Sequence, residues 1–156
     1  MMSKVRDLSK PRRRVLSILL VVIAALVLSA CTPQQETAMD LVNATRAEHG
    51  LDPLYPHHGA MQKAQAWAEE LASRDGHQLD HSKLSNGIAG DWLKIGENVG
   101  YGGSIEIVQN AYMKSPGHRA NILDPSFNFM GVGVVERQDG FVFTVQVFVK
   151  YALPNQ

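Results

Sequence analysis

The sequence predicts a fold of the α+β class, in which helices pack on an antiparallel sheet. Apolar residues recur at helical spacing through the middle of the chain, whereas the C-terminal third alternates between apolar and small or polar residues as strands do. Strand–helix–strand patterns are few, and no internal repeat is present, which argues against a parallel sheet or a solenoid.

The first thirty residues have the layout of a secretory signal. Basic residues precede an apolar run from Val15 to about Ala30 that contains no charge, and this run is shorter than the roughly twenty residues of a membrane span. Arg12-Arg13-Arg14 also permits a twin-arginine signal, although a generic basic region is favoured. We therefore expect residues 1–30 to be removed on export.

The only cysteine, Cys31, directly follows this apolar run. Leu28-Ser29-Ala30-Cys31 resembles the bacterial lipobox, which implies a lipoprotein signal peptide and a lipid joined to Cys31. Residues 31–37 then read as a polar tether between the lipid and the fold. With no second cysteine, the domain is expected to hold together without an intrachain disulfide.

Removal of the signal would change the charge balance. Six of the 15 basic residues and one of the 15 acidic residues lie in positions 1–30, which leaves 9 against 14 and a net charge of −5. A nucleic-acid partner would need a basic patch that this balance disfavours. The remaining 126 residues suit one domain with one core.

Helical spacing predicts a first helix over residues 37–49 and a second over about 59–74, the latter with small alanines on its apolar face. The polar residues 75–94 read as a long loop, and loops of that length are usually functional or held in place. Ser104 is expected to cap a helix through Met113. Ser115-Pro116 then signals another helix start.

Strands are expected on either side of these helices. Residues 95–101 read as a short strand. Residues 130–134 and 141–149 alternate as the two strands of a hairpin, with Asp139-Gly140 as its turn. Glycines on one side of the first hairpin strand would let another element lie close against it.

Three polar residues are candidates for chemistry: His81, Glu97 and His118. If Ser115 caps a helix, His118 lies in its first turn, where the helix dipole disfavours a protonated ring. A neutral imidazole can bind a metal or accept a proton. An internal hydrogen bond is the alternative role for this ring.

His81 lies in the long loop beside Asp80, which is a candidate acceptor for its ring, although a loop histidine taken alone is more often a solvated surface residue. Glu97 lies within an apolar strand, where an unpaired charge would be too costly. It is therefore either a structural hydrogen-bond partner or a site residue, and the sequence leaves both open.

Three stretches carry a family resemblance: Asp80-His81-Ser82, Gly96-Glu97-Asn98-Val99, and residues 115–123. In that order and separation they resemble the bacterial CAP superfamily, the SCP-like or PR-1-like extracellular domain. The resemblance implies an α-β-α sandwich with the CAP domain over residues 38–151. It also implies a cleft in which His81 and His118 bind zinc or another divalent metal, weakly or optionally, with support from Glu97, Asn98, Ser82 and Ser115.

The resemblance also identifies a missing residue. The family cleft holds a second glutamate three positions after an aromatic; here the aromatic is Tyr112 and the position holds Ser115. Glu106 does not align with that position and reads as an exposed acid at a helix start. The incomplete set favours a binding site over an enzyme.

Three functions remain open. The first is a binding module, anchored by lipidated Cys31 to a membrane and facing away from the cytoplasm, whose cleft takes a small molecule, a lipid or a cell-wall glycan. The second is a hydrolase that uses metal-activated water, or a nucleophilic Ser82 with His81 or His118 as base and Glu97 as orienter. The third is a structural or partner-binding role away from the cleft. The sequence gives no signal about the oligomeric state.

Overall fold

A computed structural model describes residues 31–152. The elements in this range, in chain order, are α1 (Pro33–Glu48), β1 (Tyr55–Pro56), α2 (His58–Ser73), β2 (Trp92–Gly102), α3 (Ile105–Lys114), α4 (Pro116–Ile122), β3 (Phe129–Glu136) and β4 (Val142–Tyr151). The predicted α+β class is confirmed. The expectations for the signal peptide concern residues outside the described range.

The sheet has the strand order β1-β3-β4-β2. The short β1 runs parallel to β3, and the two longer neighbours of β4 run antiparallel to it. β3 and β4 form the predicted hairpin, with Gly140 at a φ of 83° in its turn. The strand predicted over residues 95–101 is longer in the structure, where β2 spans 11 residues. It lies at an edge of the sheet.

Helices cover both faces of the sheet, as an α-β-α sandwich requires. On one face α2 packs its small apolar residues against Phe143 and the alternate valines of β4. On the other face α1, α3 and α4 enclose a second apolar cluster, which holds Val42, Tyr112, Ile122 and Phe148. Both clusters lie within one compact unit that starts at Pro33.

Two glycines of β3 explain the close fit of α2. A Cβ placed on Gly131 would lie 2.1 Å from the backbone carbon of Ala60, and one on Gly133 would lie 2.1 Å from the carbonyl oxygen of Ala64. The backbone of α2 therefore rests directly on the backbone of β3, as the glycine alternation predicted.

The first helix starts earlier than the sequence suggested. Pro33 occupies its first turn, where a proline costs no hydrogen bond. Gln35 is buried, and its amide donates to the carbonyl of Val132 at 3.2 Å and to Gln65 at 3.0 Å. Residues 33–37 thus belong to α1, which begins within the segment that was expected to be a tether over residues 31–37. No helix within residues 31–152 has the length and apolar content to cross a membrane.

Candidate functional site

Glu97 is the buried centre of the candidate site. It lies in β2, and only 4 % of its surface is exposed. One carboxylate oxygen, Oε1, lies 2.9 Å from Nδ1 of His81 and accepts the backbone N–H of Ser82 at 2.8 Å. The other, Oε2, accepts the Ser82 hydroxyl at 2.5 Å. The buried carboxylate therefore binds the long loop between α2 and β2 to the edge strand.

The contact with Glu97 sets the orientation of the His81 ring. A carboxylate only accepts hydrogen bonds, so Nδ1 carries the hydrogen and Nε2 is left as the nitrogen with a free lone pair. The His81 side chain is 61 % exposed, whereas that of Glu97 is fully buried. Asp80, the orienting acid that the sequence suggested, instead accepts from Arg74 through its carboxylate and from the Trp67 indole N–H through its backbone carbonyl.

His118 lies in the short helix α4, which follows α3. Burial and the nearby His81 ring lower the pKa of His118, which favours its neutral form. Its ring meets Tyr112 edge-on, with the centroids 5.0 Å apart. The neutral form was predicted, but on the basis of a helix dipole; burial and the second histidine account for it in the structure.

Asn98 holds the backbone of α4 against β2. Its side chain is fully buried and donates to the carbonyl of His118 at 3.1 Å and to Gln146 at 3.0 Å. Asn121 reaches back from α4 to donate to the Asn98 oxygen at 2.9 Å and to the Glu97 carbonyl at 3.2 Å. Asn98 therefore positions the helix that carries His118 and does not point a free group into the cleft.

The hydrogen bonds of Asn98 extend into a chain of side-chain amides that leads away from the site. Gln146 in β4 donates to Gln109 at 2.9 Å, and Gln109 donates to the Thr45 hydroxyl at 3.3 Å. Side-chain amides thus connect α4, the sheet, α3 and α1 in one buried row. Buried amides with partners throughout specify the packing of a core more sharply than apolar contacts do.

Ser115 lies just before α4, at the position expected for a cap, but its hydroxyl forms no capping hydrogen bond. Its backbone N–H donates to the Tyr112 carbonyl at 3.1 Å, which ends α3. The resemblance implied a second glutamate at this position, and Ser115 supplies no carboxylate.

The side chains available as ligands limit how tightly a metal ion could be held. Within residues 31–152, no group of three or more His, Cys, Asp or Glu side chains is placed to hold a metal ion. Both oxygens of Glu97 already accept hydrogen bonds. Two imidazoles remain, which is fewer than the three protein ligands typical of a catalytic zinc site. The residues thus fit at most a weakly held divalent ion.

Sequence reasoning missed a groove that adjoins the site. It has a volume of about 840 Å³ and lies between α2 and the loop over residues 80–87. His81 and Ser82 line it, together with Lys63 and Trp67 from α2. Nothing in the sequence indicates that this loop folds back over α2, because the contact depends on the buried Glu97.

The remaining histidines lie elsewhere. His77 stacks on Tyr101 with the centroids 4.5 Å apart and accepts from Arg137. His57 is half-buried and caps α2, accepting the N–H of Ala60, whereas His49 and His58 are exposed. His57 thus has a structural role at the start of α2.

Comparisons with known proteins show which family this chain is related to. The family model described as "CAP: Cysteine-rich secretory protein family" matches residues 39–148. The curated protein YkwD of Bacillus subtilis (strain 168), described as uncharacterized, is 33 % identical over 131 residues. That match covers 78 % of this chain and 49 % of YkwD, so the chain spans about half the length of this relative.

Solved structures share the fold. An outer surface protein from Borrelia burgdorferi matches with a TM-score of 0.66 and 17 % identity, over 76 % of this chain and 93 % of that protein. An extracellular protein with an SCP domain from Bacillus anthracis matches with a TM-score of 0.63 and 23 % identity, over 79 % of this chain and 45 % of that one. The family model and the match to YkwD show that this chain belongs to the CAP family of cysteine-rich secretory proteins.

Proposed function

We propose that this protein is a binding module outside the cytoplasm, anchored to a membrane through lipidated Cys31. Its cleft between His81 and His118 takes a small ligand, a lipid or a cell-wall glycan, and holds a divalent metal weakly. The observation that carries this proposal is the hydrogen bonding of Glu97, which orients His81 and occupies the Ser82 hydroxyl.

The hydrogen bonding of Ser82 argues against nucleophilic catalysis. A nucleophilic serine needs a base within hydrogen-bond reach of its hydroxyl. Here the hydroxyl donates to the buried carboxylate and not to a histidine. Ser82 therefore supports Glu97, and a serine-based hydrolase is disfavoured.

The two imidazoles support weak metal binding. Nε2 of His81 is left free by the Glu97 contact, and burial favours the neutral form of His118. An ion held by these two rings would keep several positions for water or ligand atoms. When bound, such a metal would polarise a ligand oxygen or lower the pKa of a bound water. This open coordination keeps metal-assisted hydrolysis as the second candidate.

A zinc titration tests the proposal. Residues 31–156 are purified as the wild type and as the His81→Ala/His118→Ala variant, and zinc binding is followed by calorimetry. The wild type should bind one zinc ion, and the variant should lose at least about tenfold in affinity because both ligands are gone. The matched control is His58→Ala, which removes an exposed histidine outside the cleft and should bind as the wild type does.

Two outcomes would contradict the proposal. Zinc binding that survives the double substitution would place the metal elsewhere. Zinc-dependent cleavage of peptides or cell-wall fragments that is lost in the variant would make the protein a hydrolase instead of a binding module.

A further inference from the structure

The groove beside His81 has a recognisable length and direction. One wall is formed by Lys63, Trp67 and Glu70 of α2 and by its C-cap residue Arg74, which recur at helical spacing and so share one face. The span from Lys63 to Arg74 corresponds to about 16 Å along a helix axis. The groove therefore suits an elongated ligand and is too long for a single ion.

The two ends of the groove differ in charge. At one end, Arg74 pairs with Asp80 at 2.9 Å and with Glu70 at 3.5 Å. At the other end lie Lys63 and Lys83, and among residues 31–152 neither has a carboxylate within 4.0 Å of its ammonium. The Lys63 ammonium donates to the Lys83 carbonyl at 2.7 Å, which leaves further N–H groups free.

The groove that carries the two lysines also carries His81, which lies between Asp80 and Lys83 on the loop that forms the second wall. Burial lowers the pKa of Lys63, and the Glu97 carboxylate, whose Oε1 lies 2.9 Å from Nδ1 of His81, opposes that shift. A ligand with an anion between the two lysines would therefore lie in the groove that His81 also lines. Its remainder would run along α2 toward Arg74.

Trp67 does not supply a free stacking surface. Arg74 lies over its ring at 5.2 Å from the centroid, and its indole N–H donates to the Asp80 carbonyl at 2.9 Å. Ligands that depend on stacking against an aromatic face are disfavoured for this reason. The groove can therefore select a ligand by the charge and the length of that ligand.

We propose that this groove binds the C-terminal segment of a short extended peptide, with the terminal carboxylate held between Lys63 and Lys83. A strand rises about 3.3 Å per residue, so a length of about 16 Å takes roughly five residues. Charge-assisted hydrogen bonds to an ammonium are the strong kind of polar contact. The inference rests on the proposed function, since it assigns a ligand class to the binding cleft.

The test uses acetyl-pentaalanine with a free C-terminal carboxylate and the same peptide with a C-terminal amide. Binding to residues 31–156 is measured by chemical-shift titration at low salt. The free acid should bind roughly tenfold more tightly than the amide, because a hydrogen bond to a charged group is worth about 1.5–3 kcal/mol. Lys63→Gln/Lys83→Gln should remove this preference.

The control is Lys114→Gln, which removes the same charge from an exposed position at the end of α3 and should keep the preference. Equal binding of acid and amide, or no saturable binding of either, would overturn the proposal. Glucuronate that binds with the same lysine dependence while the peptide does not would assign the groove to acidic sugars and also overturn it. Zinc affinity at His81 and His118 is measured on the same samples, so a failure of the metal site is distinguished from a failure of the groove.

Discussion

Glu97 shows how much one buried side chain determines. It accepts hydrogen bonds from His81 and from the backbone and hydroxyl of Ser82 while its own side chain is fully buried. The two partners of Oε1, the His81 ring nitrogen and the Ser82 backbone N–H, donate to it, so this atom must be an acceptor. The Ser82 hydroxyl donates to Oε2, but a hydroxyl can also accept, so an uncharged amide fits the position with weaker hydrogen bonds.

Glu97→Gln should therefore weaken the site without a change in volume. The amide would replace charge-assisted hydrogen bonds to His81 and Ser82 with weaker neutral ones, which loosens the loop and the His81 ring. Zinc affinity should fall by about 10-fold to 100-fold, as for other partners of metal-binding histidines, and the melting temperature should drop. Glu48→Gln, at the exposed end of α1, is the matched control for calorimetry and thermal unfolding. Unchanged zinc affinity would mean that Glu97 does not orient the ring.

At the level of elements, the close contact between α2 and β3 depends on two glycines, which have no side chain to hold the helix away. Gly131 and Gly133 bring the backbone of the strand against the backbone of the helix. Backbone atoms cannot swing aside as the end of a flexible side chain can. The two glycines therefore set the spacing of one whole layer of the sandwich.

Gly131→Ala and Gly133→Ala should each destabilise the domain by about 3 kcal/mol or more, the upper range for overpacking, since the new methyl group meets backbone. Gly117→Ala is the matched control, because a Cβ there has nothing within 4 Å and the residue lies in α4. That change should stabilise by about 0.5–1 kcal/mol, because alanine favours helix. Urea unfolding measures all three, and a loss at Gly131 or Gly133 no larger than at Gly117 would contradict the packing argument.

For the whole molecule, the proposed lipidation site lies close in sequence to the first helix. Because α1 starts at Pro33, only Thr32 separates Cys31 from the first helix. A lipid on Cys31 would therefore hold the domain directly at the membrane surface.

Cys31→Ser should release the protein from the membrane fraction into the soluble envelope fraction, since the thiol that would carry the lipid is absent. Cell fractionation followed by immunoblotting measures this. Thr32→Ser leaves the thiol in place and should stay with the membrane. If Cys31→Ser remains in the membrane fraction, an uncleaved apolar segment or another tether anchors the protein.

Much of the fold follows from local patterns. The β3–β4 hairpin and the close approach of α2 could be predicted because alternation, an Asp139-Gly140 turn and glycines on one face are all local signals. The start of α1 could not, because it depends on Gln35 reaching the carbonyl of Val132, 97 residues away.

In the candidate site, too, some features could be predicted from the sequence and others depend on contacts between distant residues. His81, Glu97 and His118 were predicted as candidates; the structure joins His81 to Glu97 by a hydrogen bond and places His118 near enough to His81 for that ring to lower its pKa. The orienting role of Glu97 instead of Asp80 could not be read from the sequence, because it requires the loop to fold back on β2. Arg46 also gave no signal, although it is 1 % exposed and donates to the carbonyls of Asp52, Ile122 and Asp124 at 2.8–2.9 Å.

The strand order has a consequence for how the site is made. β2 carries Glu97, and within residues 31–152 its one neighbour in the sheet is β4, the last strand of the fold. During synthesis and export, β2 emerges well before the strand that fixes it. The cleft can therefore form only after Val142–Tyr151 has arrived, so a chain interrupted before that point would carry both histidines and have no site.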